Sequence, residues 1–367
     1  MEVYANGESA GSPDGRRPAL LQNSRARNRG TSKMTFKKSV MSALLAGTVA
    51  AVSALPAMAA DLRLKFAGTF PVEHQGSKMM EQIKAEIEAA DVGLKISLFP
   101  ANQLGSGEEL LEDAIRGNVD LVYGFVYAHK DPAFEINSLP FLVSDNADVE
   151  RIYMNRESAY NQIFRERLDN IGIHLLANNA EGFIGIVADK KPTDWAGTGT
   201  KDMNIRVWSS NVAKATTESL GFNTTTMNWA EVFPAIQSGV VDGAICCTAQ
   251  LTYTTFAVSD VGKYFIPYGA FIEGSTYYAS NRTWDKMNEE QQAVVSSAFE
   301  KASAEFTQWN LDNDDAFRAK LLDSGYEILD PTAEEKAAMV AHVRENVWPQ
   351  VGEIVGQDIL DRLLADK

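Results

Sequence analysis

Histidine and cysteine are scarce in this 367-residue chain, with four of the first and two of the second. His74, His129, His174 and His342 stand apart from one another and from the cysteines, so no zinc-binding spacing exists and no metal is expected. The two cysteines, Cys246 and Cys247, are neighbours, which excludes a disulfide scaffold. Adjacent cysteines rarely bridge because the peptide between them must strain, so two small thiols in a core or pocket are expected, with a vicinal disulfide as the alternative. No paired carboxylates stand at catalytic spacing. A Cys247 nucleophile would need a histidine base, and no local signature supplies one, so neither an enzyme nor a cofactor is expected. Past residue 60 there is no repeat, no low-complexity segment and no run of eighteen apolar residues that would span a membrane.

Positive charge is also in deficit. The chain carries a formal −15, and the part beyond residue 59 has 26 basic against 46 acidic side chains. That balance argues against nucleic acid and anionic membrane surfaces as partners. It leaves an anionic small ligand open, because one buried arginine can dominate a local site.

The N-terminal part reads as a secretory signal over residues 34–59. Lys37 and Lys38 form a positive start, Val40 to Val52 an apolar run, and Ala57-Met58-Ala59 a cleavage site. Residues 1–33 are polar and are expected to be a disordered extension or a start set too early; the Arg16-Arg17 pair lies too far from the apolar run for a twin-arginine signal. The expected location is the periplasm of a Gram-negative bacterium. The remaining 308 residues suffice for about two lobes.

Strand and helix patterns alternate from Leu62. Leu62 to Phe66 and Leu94 to Phe99 alternate with period two, and Leu121 to Phe125 is a third strand. Helical spacing over Gly76 to Ala89 and Glu108 to Arg116 separates them, which implies a mostly parallel sheet with helices on its faces. The pattern restarts with a helix over Ser158 to Asn170 and strands over Ile173 to Ala177, Phe183 to Val187 and Asn204 to Trp208. Helices over Ala213 to Leu220 and Ala230 to Ser238 follow, and a strand begins at Gly243. Asn288 to Leu322 reads as one long helix, capped by Asn288, and Ala333 to Asn346 as another.

Five strings then carry a resemblance: Pro100-Ala101-Asn102-Gln103-Leu104-Gly105, Leu139-Pro140-Phe141-Leu142, Asn204-Ile205-Arg206-Val207, Met227 to Phe233, and Ala235 to Gly243. Together, in order and spacing, they resemble the DctP-type solute-binding subunits of tripartite ATP-independent periplasmic (TRAP) transporters. The resemblance covers essentially all of the chain beyond residue 60. It implies an α/β, two-lobed periplasmic binding-protein fold (type II-like) with a long helix spanning both lobes. The expected division is 60–180 plus about 272–310 for lobe I, 181–271 plus about 311–345 for lobe II, and a C-terminal helix over 346–367. It also implies a monomer that hands a small organic acid to small and large membrane permease subunits driven by an ion gradient.

The resemblance places the family's carboxylate-gripping arginine on Arg206, whose planar fork matches a carboxylate, and its aromatic pocket position on Trp229. Compared with sialic-acid-binding members, a second arginine falls on Ile184, a pocket glutamate on Phe125, and an asparagine on Cys246 or Cys247. A less polar pocket is therefore expected, bounded by Phe125, Tyr127, Phe183 and Trp229. The favoured ligand is a monocarboxylate with an apolar or aromatic body. Glu73, near an acid that ectoine-type binders use, opens the alternative of a zwitterion held between Glu73 and Arg206. Thr69 joins Glu73 as a candidate after the first strand, and a C4-dicarboxylate is a further alternative. A sensory binding protein, a periplasmic cysteine hydrolase and the binding protein of an ATP-driven carrier are the competing classes.

Overall fold

The computed structural model describes residues 62–365; the signal segment and the residues before it lie outside the described residues. Among the described residues, eleven strands form two sheets. In the first, β1 (Leu62–Gly68) pairs in parallel with β2 (Leu94–Phe99) and β3 (Leu121–Gly124). β10 (Ile272–Ser280) runs antiparallel between β3 and β4 (Ile173–Phe183), giving the order β2-β1-β3-β10-β4. The second sheet has the order β11-β9-β5-β8-β6-β7. It comprises β5 (Gly185–Ala188), β6 (Asn204–Val207), β7 (Asn223–Thr226), β8 (Gly243–Cys247), β9 (Tyr264–Ile266) and β11 (Glu327–Ile328).

Both sheets are mixed rather than mostly parallel, because the chain crosses between them and returns. β5 runs antiparallel to β8 and β9, and β10 antiparallel to β3 and β4. The segment expected as one strand over Phe183 to Val187 is the first crossing: β4 ends at Phe183, Ile184 belongs to neither sheet, and β5 begins at Gly185. The return crossing joins β9 to β10. The two crossings are tied together, since Ile184 N–H donates to Phe271 O (2.9 Å) and Gly269 N–H to Ile184 O (3.1 Å).

Helices cover the sheets where their apolar stripes dictate. Helix α1 (Gln75–Ala89) buries Met79, Met80, Ile83 and Ile87 against the first sheet. Helix α2 (Gly107–Arg116) starts on a reciprocal capping box between Ser106 and Glu109 and stops at Gly117, whose φ of 78° suits a residue without Cβ. Helices α3 (Ala159–Asn170), α4 (Asn211–Ser219) and α5 (Trp229–Gln237) follow. Helix α6 (Glu289–Asp323) has 35 residues and opens on a capping box at Asn288 and Gln291. At 1.5 Å per residue it runs about 52 Å, longer than one sheet needs. Its Phe299 packs on Phe66 of the first sheet, while Phe317 and Leu321 pack with Tyr253 and Tyr326 on the side of the second. Helix α7 (Ala333–Val355) extends nine residues past the expected end at Asn346, and α8 (Gln357–Ala365) closes the described chain.

Among the described residues no helix is long and apolar enough to cross a membrane, and no group of three His, Cys, Asp or Glu side chains is placed to hold a metal ion.

Candidate functional site

Both sheets send strand ends and crossings toward one cavity. Ligands of open α/β sheets collect at such carboxyl ends, where side chains from separate strands converge.

Arg206 sits on β6, with Val207 and Ile205 buried beside it. It is only 4 % exposed and reaches the cavity. Its Nε–H donates to Met227 O (3.0 Å), the carbonyl just before α5, which fixes the plane of the guanidinium. No carboxylate lies within ion-pairing distance of it among the described residues. Burial pulls its pKa down to about 10, an effect that Tyr127, Glu108 and Glu273 partly oppose. The group stays charged at neutral pH, desolvated and with its terminal nitrogens unpaired, which is a costly arrangement for an empty site.

Aromatic rings build the walls. Trp229 opens α5, half-buried, edge-on to Phe256 at 6.1 Å. Phe125 and Tyr127 follow β3, and Phe125 meets Phe70 at 5.5 Å. The Tyr127 hydroxyl packs onto the start of α2, where a Cβ on Gly107 would lie 2.1 Å from its oxygen. Trp208 donates its indole N–H to Ser138 Oγ (3.1 Å) and stands edge-on to Phe271.

Of the ten residues expected at the site, Arg206, Trp229, Phe125, Tyr127, Ile184 and Cys246 line this cavity. Four do not. Phe183 ends β4 on the outer side of the crossing, under Lys336 Nζ (5.8 Å). Thr69 is buried and borders a separate hollow with Ala101 and Phe233. Glu73 is exposed on the turn ahead of α1 and does not face Arg206. Cys247 is fully buried, and it is bonded to Cys246: the pair forms a vicinal disulfide, not two thiols. The strand accommodates it through a bulge, since Gly185 pairs with Cys247 and Ile186 with Ile245, leaving Cys246 unmatched and turned toward the cavity.

Polar groups that the sequence reading did not place also reach the cavity. Glu108, Asn137 and Glu273 line the cavity. Glu273 lies on β10 opposite an irregularity of β4, where Ile272 faces Phe183 but Gly274 faces Ala180. Glu181 and Gly182 form that irregularity, and Gly182 takes φ +120°, open to glycine alone. Two glutamates are thereby buried side by side on paired strands, 3 % and 4 % exposed. Glu181 Oε1 accepts the Tyr123 hydroxyl (2.7 Å), and Glu273 Oε2 accepts Thr248 N–H (3.3 Å). Burial pushes both acids up, and the charge of Glu181 pushes Glu273 further. His74, whose Nδ1 caps α1, presents Nε2 3.6 Å from Glu181; burial lowers its pKa to about 3, so it is a neutral neighbour and not a counter-ion. No spacing in the sequence links Glu273 to Arg206. The only signal was a charged residue inside an otherwise uncharged stretch, Gly269 to Ser280.

Comparison with known proteins gives a consistent result. Residues 66–352 match the family described as bacterial extracellular solute-binding protein, family 7 (DctP). The chain is 25 % identical over 342 residues to the C4-dicarboxylate-binding periplasmic protein DctP of Rhodobacter capsulatus, covering 89 % of this chain and 95 % of that one. It is likewise 25 % identical over 223 residues to the ectoine/5-hydroxyectoine-binding periplasmic protein UehA of Ruegeria pomeroyi, covering 59 % and 63 %. Among solved structures, a TRAP periplasmic solute-binding protein of Shewanella oneidensis with bound succinate superposes with a TM-score of 0.75 at 20 % identity, over 84 % of this chain and 99 % of that one.

Proposed function

The chain belongs to the DctP family of TRAP solute-binding proteins, a family of binding proteins and not of enzymes, and from that premise we propose that it captures a small organic acid by its carboxylate on Arg206. The observation that carries the reading is the guanidinium itself: buried, held in plane by Met227 O, and unpaired. A ligand carboxylate supplies the missing counter-charge and two parallel hydrogen bonds. The rings of Phe70, Phe125, Tyr127, Trp208 and Trp229 then enclose an apolar or aromatic body.

Capture works by closure. Residues 60–180 with about 272–310 form one lobe and 181–271 with about 311–345 the other, and the crossings at Ile184 and 267–271 act as the hinge. Arg206, Trp208, Trp229 and Cys246 come from one lobe; Phe70, Phe125, Tyr127 and Glu273 come from the other. The empty open form wets the guanidinium, and ligand makes the closed form favourable by pairing it. The closed protein, working as a monomer in the periplasm, delivers its acid to the small and large membrane subunits of an ion-gradient-driven permease.

A thermal-shift screen of organic acids on the purified protein tests this. A ligand at 100 times its Kd adds about 2.7 kcal/mol of stability. Arg206→Ala is expected to abolish the shift, at a cost of about 2–5 kcal/mol in binding. Shifts that survive in Arg206→Ala would remove the basis for the reading.

A further inference from the structure

Arg206 has a counterpart in the cavity that neither the sequence pattern nor the carboxylate reading uses. Glu273 is 4 % exposed and reaches the same space. One of its oxygens accepts Thr248 N–H, and no other hydrogen bond or ion pair to its carboxylate exists among the described residues. We propose that Glu273 is the second polar anchor of the cavity and receives an ammonium or similar cationic N–H group, so that the captured acid is a zwitterion and not a plain carboxylate. The inference rests on the Arg206 reading and narrows it.

Charge balance is the argument. The cavity lining holds one cation, Arg206, and two acids, Glu108 and Glu273. Behind Glu273 stands a third acid, Glu181 of β4, with no cation near it: Tyr123 of β3 donates a neutral hydroxyl, His74 is neutral, and Tyr277 of β10 is a buried phenol. A plain carboxylate on Arg206 satisfies that side and leaves the buried Glu273 carboxyl with Thr248 N–H as its one partner among the described residues. A zwitterion satisfies both ends: its carboxylate pairs Arg206 of β6, and its cation meets Glu273 on the strands of the other lobe, where Phe125 also lines the cavity. Glu73, which sequence pattern put in this role, is exposed and outside the cavity.

A proton readout follows. Burial and Glu181 raise the Glu273 pKa in the ligand-free cavity. An ammonium placed on it favours the carboxylate and lowers that pKa, so binding shifts the group toward loss of its proton. A ligand offering only oxygens there leaves the proton in place, with the neutral acid donating to it.

The experiment uses matched pairs that differ by one amino group, phenylalanine and 3-phenylpropanoate, leucine and 4-methylpentanoate, and one pair in which a ring N–H replaces CH2, proline and cyclopentanecarboxylate. The ectoine zwitterion is added to the zwitterion arm. Thermal shift selects binders, and calorimetry at pH 7.5 in two buffers of different ionisation heat counts protons. The expected result is that the zwitterion of a binding pair is at least tenfold tighter and releases protons. Glu273→Gln should remove that preference and the release while leaving residual binding of the acid; Glu108→Gln should have the smaller effect; Arg206→Ala should remove binding of both members. The wild-type ratio alone decides the matter if Glu273→Gln does not fold. Binding confined to the plain acids, lost in Arg206→Ala but indifferent to Glu273→Gln, overturns the zwitterion and leaves the carboxylate reading standing. A panel silent in both arms overturns both.

Discussion

The two polar walls of the cavity were built by different means. On one side Arg206 stands on β6, and α4 and β7 lead from it through Met227 into helix α5, with β7 paired in parallel beside β6. On the other, Glu181 and Glu273 are 92 positions apart and meet only because β10 returns antiparallel beside β4 with a bulge opposite Glu273. The first wall is a local device, a strand-helix-strand unit leading into a helix, and its residues fall within one stretch of the chain. The second is made by topology. The comparison teaches that a site's charge cannot be summed from strings alone: the arginine was visible, and the acids that set what it can be paired with were not.

The largest expected effect breaks the first wall without emptying it. Arg206→Lys keeps a cation but loses the fork and the Nε–H bond that holds the plane, so binding should weaken by about 2 kcal/mol or more, roughly 30-fold. Calorimetry with any acid that shifts the wild-type melt checks it. A lysine variant that binds within threefold of wild type would mean the planar geometry does nothing.

Next is the packing that aims Tyr127. Gly107→Ala puts a methyl 2.1 Å from the Tyr127 oxygen, and overpacking of this kind costs about 1–3 kcal/mol. The melting temperature should drop, and ligand affinity should change with it because the displaced ring lines the cavity.

The second wall is sharpened by pH. Burial holds the pKa of Glu181 and Glu273 above the value of about 4.3 expected in the unfolded chain. The unfolded chain therefore binds fewer protons from there upward, and the pair's contribution to stability is full below that value and is lost as pH rises through the folded pKa. His74 acts in the opposite sense, since its lowered pKa makes stability fall as pH drops below about 6.5. The difference between Glu181→Gln and wild type reads the acid side of this balance, since burial is the main cause of the lowered histidine pKa. That difference in melting temperature, without ligand, should favour the variant and widen from pH 4.5 to pH 7.5; a constant gap would show that the pair is not desolvated.

The smallest effect on stability is expected at the vicinal disulfide. A ring closed between adjacent residues restrains little of the unfolded chain, because the entropic gain grows with loop length. Reduction should move the melting temperature by only a degree or two, yet change ligand affinity, since Cys246 lines the cavity. A large fall in melting temperature with unchanged affinity would reverse that order.

Sequence reading placed most elements to within a residue or two, because helical stripes such as Met79, Met80, Ile83, Ile87 and caps such as Ser106 and Asn288 act locally. It missed β10, the strand that carries Glu273. Every residue of that strand is buried, so no alternation marks it, and its Gly274-Ser275 pair reads as a turn. The short strands β7, β9 and β11 were passed over for the related reason that two to four residues carry no period. Glu73 was placed by its nearness to an acid that ectoine-type binders use, whereas the structure holds it exposed on the turn ahead of α1. The cysteine pair was judged by the strain of an isolated peptide, and the bulge opposite Gly185 provides the room.

A crystal structure of the protein with a bound acid tests the central claim most directly. The account predicts the ligand carboxylate on the terminal nitrogens of Arg206 at about 2.7–2.9 Å, within the walls of Phe125, Tyr127 and Trp229. A ligand held elsewhere, with the guanidinium still unpaired, would contradict it.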